Sequence, residues 1–150
     1  MSGKIEELFP ESIRNIAIYC RTAYEENSIS TSEYRLYPIK CYISKHPTWS
    51  LKGIYQDYGY SNRELDHLLE ECNNQEIHLI ITTSISSISR NIIKTIEFIK
   101  SLKEINIGVY FFSENIYSMD SKYDYYMDIL KRFAEEESRK KKKIHSCEKT

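Results

Sequence analysis

The stretch IHLIITT, residues 77–83, decides the fold class of this 150-residue chain. Its apolar residues follow one another directly and do not alternate with polar ones. A short run of this kind is typical of a strand buried on both faces, as in a parallel sheet covered by helices. The stretch therefore predicts an α/β fold with a largely parallel sheet.

Segments with strand and helix patterns alternate on both sides of this run. The apolar patterns predict further strands over 15–21, 51–57 and 107–112, and helices over 31–44, 63–74, 91–104 and 120–143. In the second helix, Leu65, Leu68 and Cys72 recur at helical spacing and form one apolar face. This alternation predicts a doubly wound, mostly parallel sheet of four or more strands, with flanking helices and a long C-terminal helix.

The last predicted helix is too long to be covered by a single small domain. At 1.5 Å per residue, residues 120–143 would extend about 35 Å. Its apolar positions end at Phe133, before a basic segment, which favours contact with a partner chain or a polyanion over the alternative of a solvated end. We expect four parts: an extension 1–14, a core 15–120, the long helix 121–143 and a tail 144–150.

The composition excludes several classes of protein. Hydrophobic residues make up 41% of the chain, yet no apolar run approaches the roughly 20 residues of a membrane span. The N-terminal segment is too acidic for a signal peptide, so we expect a cytoplasmic protein without membrane contact. Only four glycines occur, which argues against a glycine-rich phosphate loop. The four cysteines lack metal-site spacing, and we expect neither metal nor cofactor.

Positive charge is concentrated at the C-terminal end. Residues 131–150 carry eight Lys or Arg against four Glu, a net charge of +4. Because the whole chain carries −1, the preceding 130 residues carry −5. A basic end on a mildly acidic body favours contact with a polyanion such as DNA, or serves solubility alone.

Five segments, in order, resemble one protein family. They are YCRTA at 19–23, YQDYGYSNRELDHLL at 55–69, LIITTSISSISRN at 79–91, ENIYSMD at 114–120 and FAEEESRK at 133–140. The first is similar to the motif Y-x-R-[VT]-S, and the third contains a form of S-R-[FL]-S-R-N. The chain resembles, from about residue 15 to 143, the N-terminal catalytic domain of serine recombinases, especially the large serine integrases.

The resemblance implies a specific chemistry. In this family a serine hydroxyl attacks a DNA phosphodiester and forms a covalent phosphoserine link without a metal. Arginines then meet the charge on the phosphoryl group. Arg21 and Arg90 stand at two of these arginine positions, and Asp57 stands at the acidic position that organises the site. A plainer interpretation stays open, in which both arginines are structural ion-pair partners of Asp57.

The chain departs from the family pattern at its reactive positions. Ala23 stands where the nucleophilic serine is expected, and a methyl group cannot attack phosphorus. In the loop 86–91, Ser86 keeps the serine, but Ser87 replaces the first arginine. Arg35 stands where the family commonly has glutamine. Two losses favour natural degeneration of the site over a single engineered change.

A displaced nucleophile is the alternative to lost activity. Thr22 neighbours the lost serine, and hydroxyls also occur in the loop at Ser84, Ser86, Ser87 and Ser89. All four histidines lie outside the motifs, so none of these hydroxyls has an identifiable base. The same loop could also be a plain connection in which Ser89 caps the next helix.

We therefore expect a catalytically inactive recombinase-like domain that acts as a dimeric accessory or regulatory protein. It would form a homodimer, or a heterodimer with an intact recombinase. Its long helix would contact DNA weakly and without sequence preference through five basic residues: Arg139, Lys140, Lys141, Lys142 and Lys143. No segment resembles the family's DNA-reading domain. The alternatives are an active strand-exchange or nicking enzyme and a protein-interaction module without a DNA role.

Overall fold

The secondary structure follows the predicted alternation of strands and helices. The computed structural model describes residues 9–22, 29–74, 76–89 and 91–148, and the side chains at 29–33, 73 and 141–148 lie outside this description. The strands are β1 (Asn15–Thr22), β2 (Ser50–Tyr58), β3 (Leu79–Thr82), β4 (Gly108–Phe111) and β5 (Ile116–Tyr117). The helices are α1 (Ile29–Ser44), α2 (Arg63–Asn74), α3 (Ile92–Glu104) and α4 (Ser121–Glu148), with a short 3₁₀ helix at Ile85–Ser87.

The five strands form one sheet in the order β2-β1-β3-β4-β5. The first four strands run parallel, and β5 pairs antiparallel with β4. The predicted doubly wound, mostly parallel sheet is therefore confirmed. The fifth strand was not predicted, because two residues are too few to show a period.

Two hydrophobic layers cover the sheet, one on each face. One face of the sheet packs against α2, α3 and α4, where Leu68 and Ile99 are fully buried. The other face packs against α1 through Leu36, Ile39 and Ile43, which recur at helical spacing. Helices on both faces explain why the strand sequence of β3 is apolar without alternation.

The residues before β1 belong to the folded core. Phe9 is buried on the α1 face, with its ring 4.8 Å from that of Tyr117 and 5.2 Å from that of Trp49. The Nδ1 atom of His78 accepts hydrogen bonds from the backbone N–H groups of Arg14 and Asn15, both at 3.1 Å. These contacts fix the start of β1 beside the start of β3.

Two helices extend beyond their predicted bounds. α1 begins at Ile29 and contains Pro38 in its interior. Proline has no N–H, so the carbonyl four residues before it loses its partner in the helix. Because Pro38 is exposed, water can reach this part of the helix. α4 continues to Glu148 and not to residue 143, so its 28 residues extend about 42 Å. Among the described residues, none of the helices has the length and apolar character needed to span a membrane.

Gly108 has almost no room for a side chain. A Cβ atom there would lie 2.5 Å from Cε1 of Tyr117, whose ring covers the start of β4. We expect Gly108→Ala to lower the free energy of unfolding by about 1–3 kcal/mol, as overpacking does elsewhere. Urea denaturation measures this change.

The control is the same substitution in a Tyr117→Leu background, where the ring is gone. There, alanine should be neutral or slightly stabilising, because glycine is unfavourable inside a strand. An equal loss in both backgrounds would contradict the assigned contact.

Candidate functional site

A polar cleft lies at the carboxyl-terminal edge of β1 and β3, the edge at which open α/β sheets bind their ligands. Its volume is about 310 Å³. The end of β1, helix α1, the turn after β2 and the loop after β3 all contribute to it. Its lining consists of two arginines, a glycine and five hydroxyl-bearing residues: Arg21, Arg35, Gly59, Thr22, Thr83, Ser84, Ser86 and Ser87.

The Arg21 guanidinium holds the loop that follows β3. Its Nε donates a hydrogen bond to the carbonyl oxygen of Ser87 at 3.0 Å, and one Nη donates to the carbonyl oxygen of Ile88 at 3.1 Å. Ser87 is the last residue of the 3₁₀ helix, and Ile88 directly follows it. A cation there also complements the partial negative charge of a helix C-terminus.

The same guanidinium holds the turn between β2 and α2. Nη1 donates to the carbonyl oxygens of Gly59 at 3.0 Å and Ser61 at 2.5 Å. Nη2, the atom that contacts Ile88, also donates to Oδ1 of Asn62 at 2.6 Å and to the Tyr19 hydroxyl at 2.8 Å. An arginine has five N–H groups, so every donor of Arg21 has an acceptor within the chain.

Asp57 organises the start of α2 and reaches Arg21 only through a hydroxyl. Its Oδ1 accepts the backbone N–H of Glu64 at 2.9 Å, and its Oδ2 accepts that of Leu65 at 3.0 Å. Oδ2 also accepts the Tyr19 hydroxyl at 2.7 Å. Burial, followed by this hydrogen bond to Asp57, raises the pKa of Tyr19. Within the described residues, Arg21 and Asp57 form no direct ion pair, so that interpretation was wrong for this pair.

The loop after β3 is held at both ends of its 3₁₀ helix. The Glu114 carboxylate accepts the backbone N–H of Ile85, with distances of 3.3 and 3.4 Å to its two oxygens. Arg21 binds the carbonyls at the opposite end. An anion at the start and a cation at the end both match the polarity of the helix.

Four hydroxyls of this loop form a continuous row. Thr83 Oγ1 lies 2.5 Å from Ser87 Oγ, Ser87 Oγ lies 3.2 Å from Ser84 Oγ, and Ser84 Oγ lies 3.0 Å from Ser86 Oγ. Ser87 is buried, whereas Ser86 is exposed. Four hydroxyls joined by three bonds leave one donor hydrogen over, and the direction of the bonds decides which hydroxyl keeps it.

The loop leads into α3 through Asn91. The Oδ1 atom of Asn91 accepts the backbone N–H groups of Ile93 at 3.0 Å and Lys94 at 3.4 Å, so Asn91 is the N-cap. Ser89 Oγ instead accepts the backbone N–H of Asn91 at 3.1 Å. The interpretation of Ser89 as the cap was therefore wrong by two residues.

A family model described as "Resolvase, N terminal domain" matches residues 16–145, which is most of the chain. The chain belongs to the resolvase family. As the sequence motifs implied, it is an N-terminal domain of the serine recombinase type.

Two solved structures share the fold of this resolvase domain. The N-terminal catalytic domain of TP901-1 integrase aligns with a TM-score of 0.66 at 19% identity, covering 84% of this chain and 98% of that one. A resolvase family site-specific recombinase from Streptococcus pneumoniae aligns with a TM-score of 0.69 at 14% identity, covering 89% and 95%. No curated protein matches the chain significantly.

The fold brings together only part of the predicted site. Arg21, Ser86 and Ser87 line the cleft, whereas Asp57 is buried beside it at the start of α2. Ala23 and Arg90 lie outside the described residues.

The predicted DNA-contacting residues lie near the C-terminal end of α4. Arg139 and Lys140 are exposed there. The backbone of Lys141, Lys142 and Lys143 continues the helix, but their side chains lie outside the described part of the resolvase domain.

Sequence reasoning missed three residues that build the cleft. Tyr19 is the first letter of the Y-x-R motif, and that position could have marked it as a site residue. Asn62 and Glu114 carry no comparable signal, because their contacts depend on how two turns meet in space. Arg35 was noted only as a departure from the family pattern.

The cysteine beside Arg21 is a packed thiol. Cys20 is buried on the α1 face of β1, and burial raises the pKa of its thiol to about 11. The thiol therefore stays protonated near neutral pH, which is unfavourable for a nucleophile. Within the described residues, no three His, Cys, Asp or Glu side chains are grouped as a metal site would require.

The Tyr19 hydroxyl links Arg21 to Asp57, and its removal tests that link. We expect Tyr19→Phe to lower the free energy of unfolding by about 1.5–3 kcal/mol, because a buried carboxylate loses a hydrogen bond. Chemical denaturation followed by circular dichroism measures the change.

Tyr55→Phe is the matched control on the neighbouring strand. Tyr55 is also buried on the same face of the sheet, and its hydroxyl makes no hydrogen bond within the described part of the chain. A change of less than about 0.5 kcal/mol is expected for it. Equal effects of both substitutions would show that the Tyr19 link contributes nothing specific.

Proposed function

We propose that this resolvase domain binds DNA without cutting it and acts as a dimeric accessory or regulatory protein of recombination. The observation that carries the proposal is Ala23, which directly follows Thr22 at the end of β1, where the family motif has its nucleophilic serine. The described part of the chain has the fold of a recombinase catalytic domain, and the family model matches residues 16–145.

The chemistry expected of the family cannot proceed at an alanine. A serine oxygen must form a bond to phosphorus while the bond from phosphorus to a deoxyribose oxygen breaks, and the leaving oxygen must gain a proton. The side chain of alanine offers no oxygen. The replacement of an arginine by Ser87 removes a second requirement, because cations must stabilise the charge that develops on the phosphoryl group.

No histidine among the described residues is placed to activate the remaining hydroxyls near the cleft. The loop hydroxyls are bonded to one another, and Thr22 is largely buried. Histidines in the described residues are engaged elsewhere. His46 stacks on Trp49 at 3.7 Å, and His78 holds the start of β1. These contacts support loss of activity over a displaced nucleophile.

The exposed apolar residues of α4 support the proposed dimer. Phe133 is 62% exposed and Ile129 is 38% exposed, although both are large apolar side chains. Beside them runs a groove of about 910 Å³ between α4 and the start of α3. Covering these side chains with a second chain, either an identical copy or an intact recombinase, would remove apolar surface from water.

The basic end of α4 supports weak binding to DNA. Arg139 and Lys140 are exposed, and three further lysines follow them on the same helix. Contacts of this type go to phosphates, carry no base information and weaken as salt rises. Binding through them would therefore be sequence-independent.

Incubation with a suicide DNA substrate tests the loss of chemistry. A substrate that traps a covalent protein–DNA intermediate should give no adduct with this chain, and Ala23→Ser alone should not restore one while Ser87 remains. Denaturing gels and mass spectrometry detect the adduct. An adduct mapped to Thr22 or a loop serine would establish an active enzyme with a displaced nucleophile.

Sedimentation tests the dimer and the DNA contact together. We expect a dimer that binds a short fluorescent duplex at low salt and releases it as salt rises, with a shallower salt dependence once residues 139–143 are changed to glutamine. A chain that ignores duplex DNA even at low salt would instead be a protein-interaction module.

A further inference from the structure

Arg35 is the cleft cation for which the described part of the chain offers no acceptor. Its side chain lines the cleft from α1 and is exposed. None of the residues that the structure describes forms a hydrogen bond or an ion pair with its guanidinium, although burial raises the pKa of the nearby Cys20 thiol and the charge of Arg35 offsets part of that rise. The described residues therefore take up none of its five N–H groups, which can donate to a ligand in the cleft.

Arg21 lines the same cleft, but its N–H groups are already hydrogen-bonded within the chain. All five of its N–H groups donate to oxygens of the chain, four of which are backbone carbonyls. A phosphate that took these donors would leave part-buried carbonyls without partners, at the cost of their desolvation. Arg21 is therefore poorly placed to bind a ligand and well placed to hold the two loops together.

The rest of the cleft suits an oxyanion. No carboxylate is among its described lining residues, which include two guanidinium groups. The row of four hydroxyls keeps one donor hydrogen, and Ser86 at its exposed end can turn that donor into the cleft. Planar guanidinium and hydroxyl donors together match the oxygens of a phosphate group.

We propose that Arg35, and not Arg21, is the cation that holds a phosphate group in this cleft. Arg35 supplies the positive charge, the hydroxyl row supplies a further donor, and Arg21 serves as the positioning residue that fixes the loops. The phosphate is either a diester of the DNA backbone or a free phosphate ion. If the phosphate belongs to the DNA backbone, this inference rests on the proposed function. If it is a free phosphate ion, the inference is independent of that function.

The test compares Arg35→Gln with Lys40→Gln. Lys40 lies on the same helix, is exposed and does not line the cleft, so both variants lose one positive charge from α1. Two readouts are taken on the full chain. They are the rise in melting temperature with inorganic phosphate, which reports binding to the folded state, and the affinity for a fluorescent duplex at low salt.

Arg35→Gln should weaken binding by at least about tenfold in one of the two readouts, while Lys40→Gln stays within about twofold of the wild type. If Arg35→Gln loses only the rise in melting temperature with inorganic phosphate, the cleft is a site for the free ion. Loss of duplex affinity, with a salt slope reduced by about one, identifies the DNA backbone as the source.

Two results would overturn the assignment. One is equal weakening by both variants, which would mean that Arg35 adds only general positive charge. The other is unchanged binding by Arg35→Gln. If the wild type binds duplex and Arg35→Gln binds it equally well, the proposed function stands without this inference. If only the phosphate effect exists and depends on Arg35, the inference stands and the DNA role fails.

Discussion

The hydrogen bonds of Arg21 are the contacts on which the cleft depends. One guanidinium at the end of β1 joins the turn after β2 to the loop after β3. Through the Tyr19 hydroxyl it also connects to Asp57 of β2, whose carboxylate accepts N–H groups of the first turn of α2. Carbonyl groups in such turns lie outside the regular ladder of the sheet, so a planar, always charged group with five donors can bind several of them at once.

The contacts that hold the loops of this domain are made by other atoms than the serine hydroxyl that the family uses for its reaction. The loop after β3 keeps its shape through Arg21 at one end of its 3₁₀ helix and Glu114 at the other. Neither contact needs a reactive side chain. Ser87, where an arginine is expected, joins the hydroxyl row and leaves no buried polar atom unpaired among the described residues. These contacts would therefore hold the loop whether or not the domain has a nucleophile.

Much of the fold was predictable from local pattern, and much of the cleft was not. α2 begins and ends at its predicted residues, because Leu65, Leu68 and Cys72 mark its buried face. The motif resemblance also predicted Arg21 as a site residue, and Arg21 lines the cleft. The internal bonds of Arg21 were not predictable, since they depend on where backbone carbonyls of two turns point in space. The hydrogen bonds from the first turn of α2 to the Asp57 carboxylate, and the one from Ile85 to Glu114, depend likewise on the folded chain.

The most direct test of this account is an NMR spectrum of the arginine side chains. If Arg21 is bound on all sides, its Nε–H and Nη–H signals should be separately resolved and slow to exchange, and they should not move when phosphate or duplex DNA is added. The Arg35 signals should be averaged in the free protein and should shift on addition. A mobile Arg21 whose signals follow the ligand would contradict the account, because Arg21 would then be the phosphate ligand.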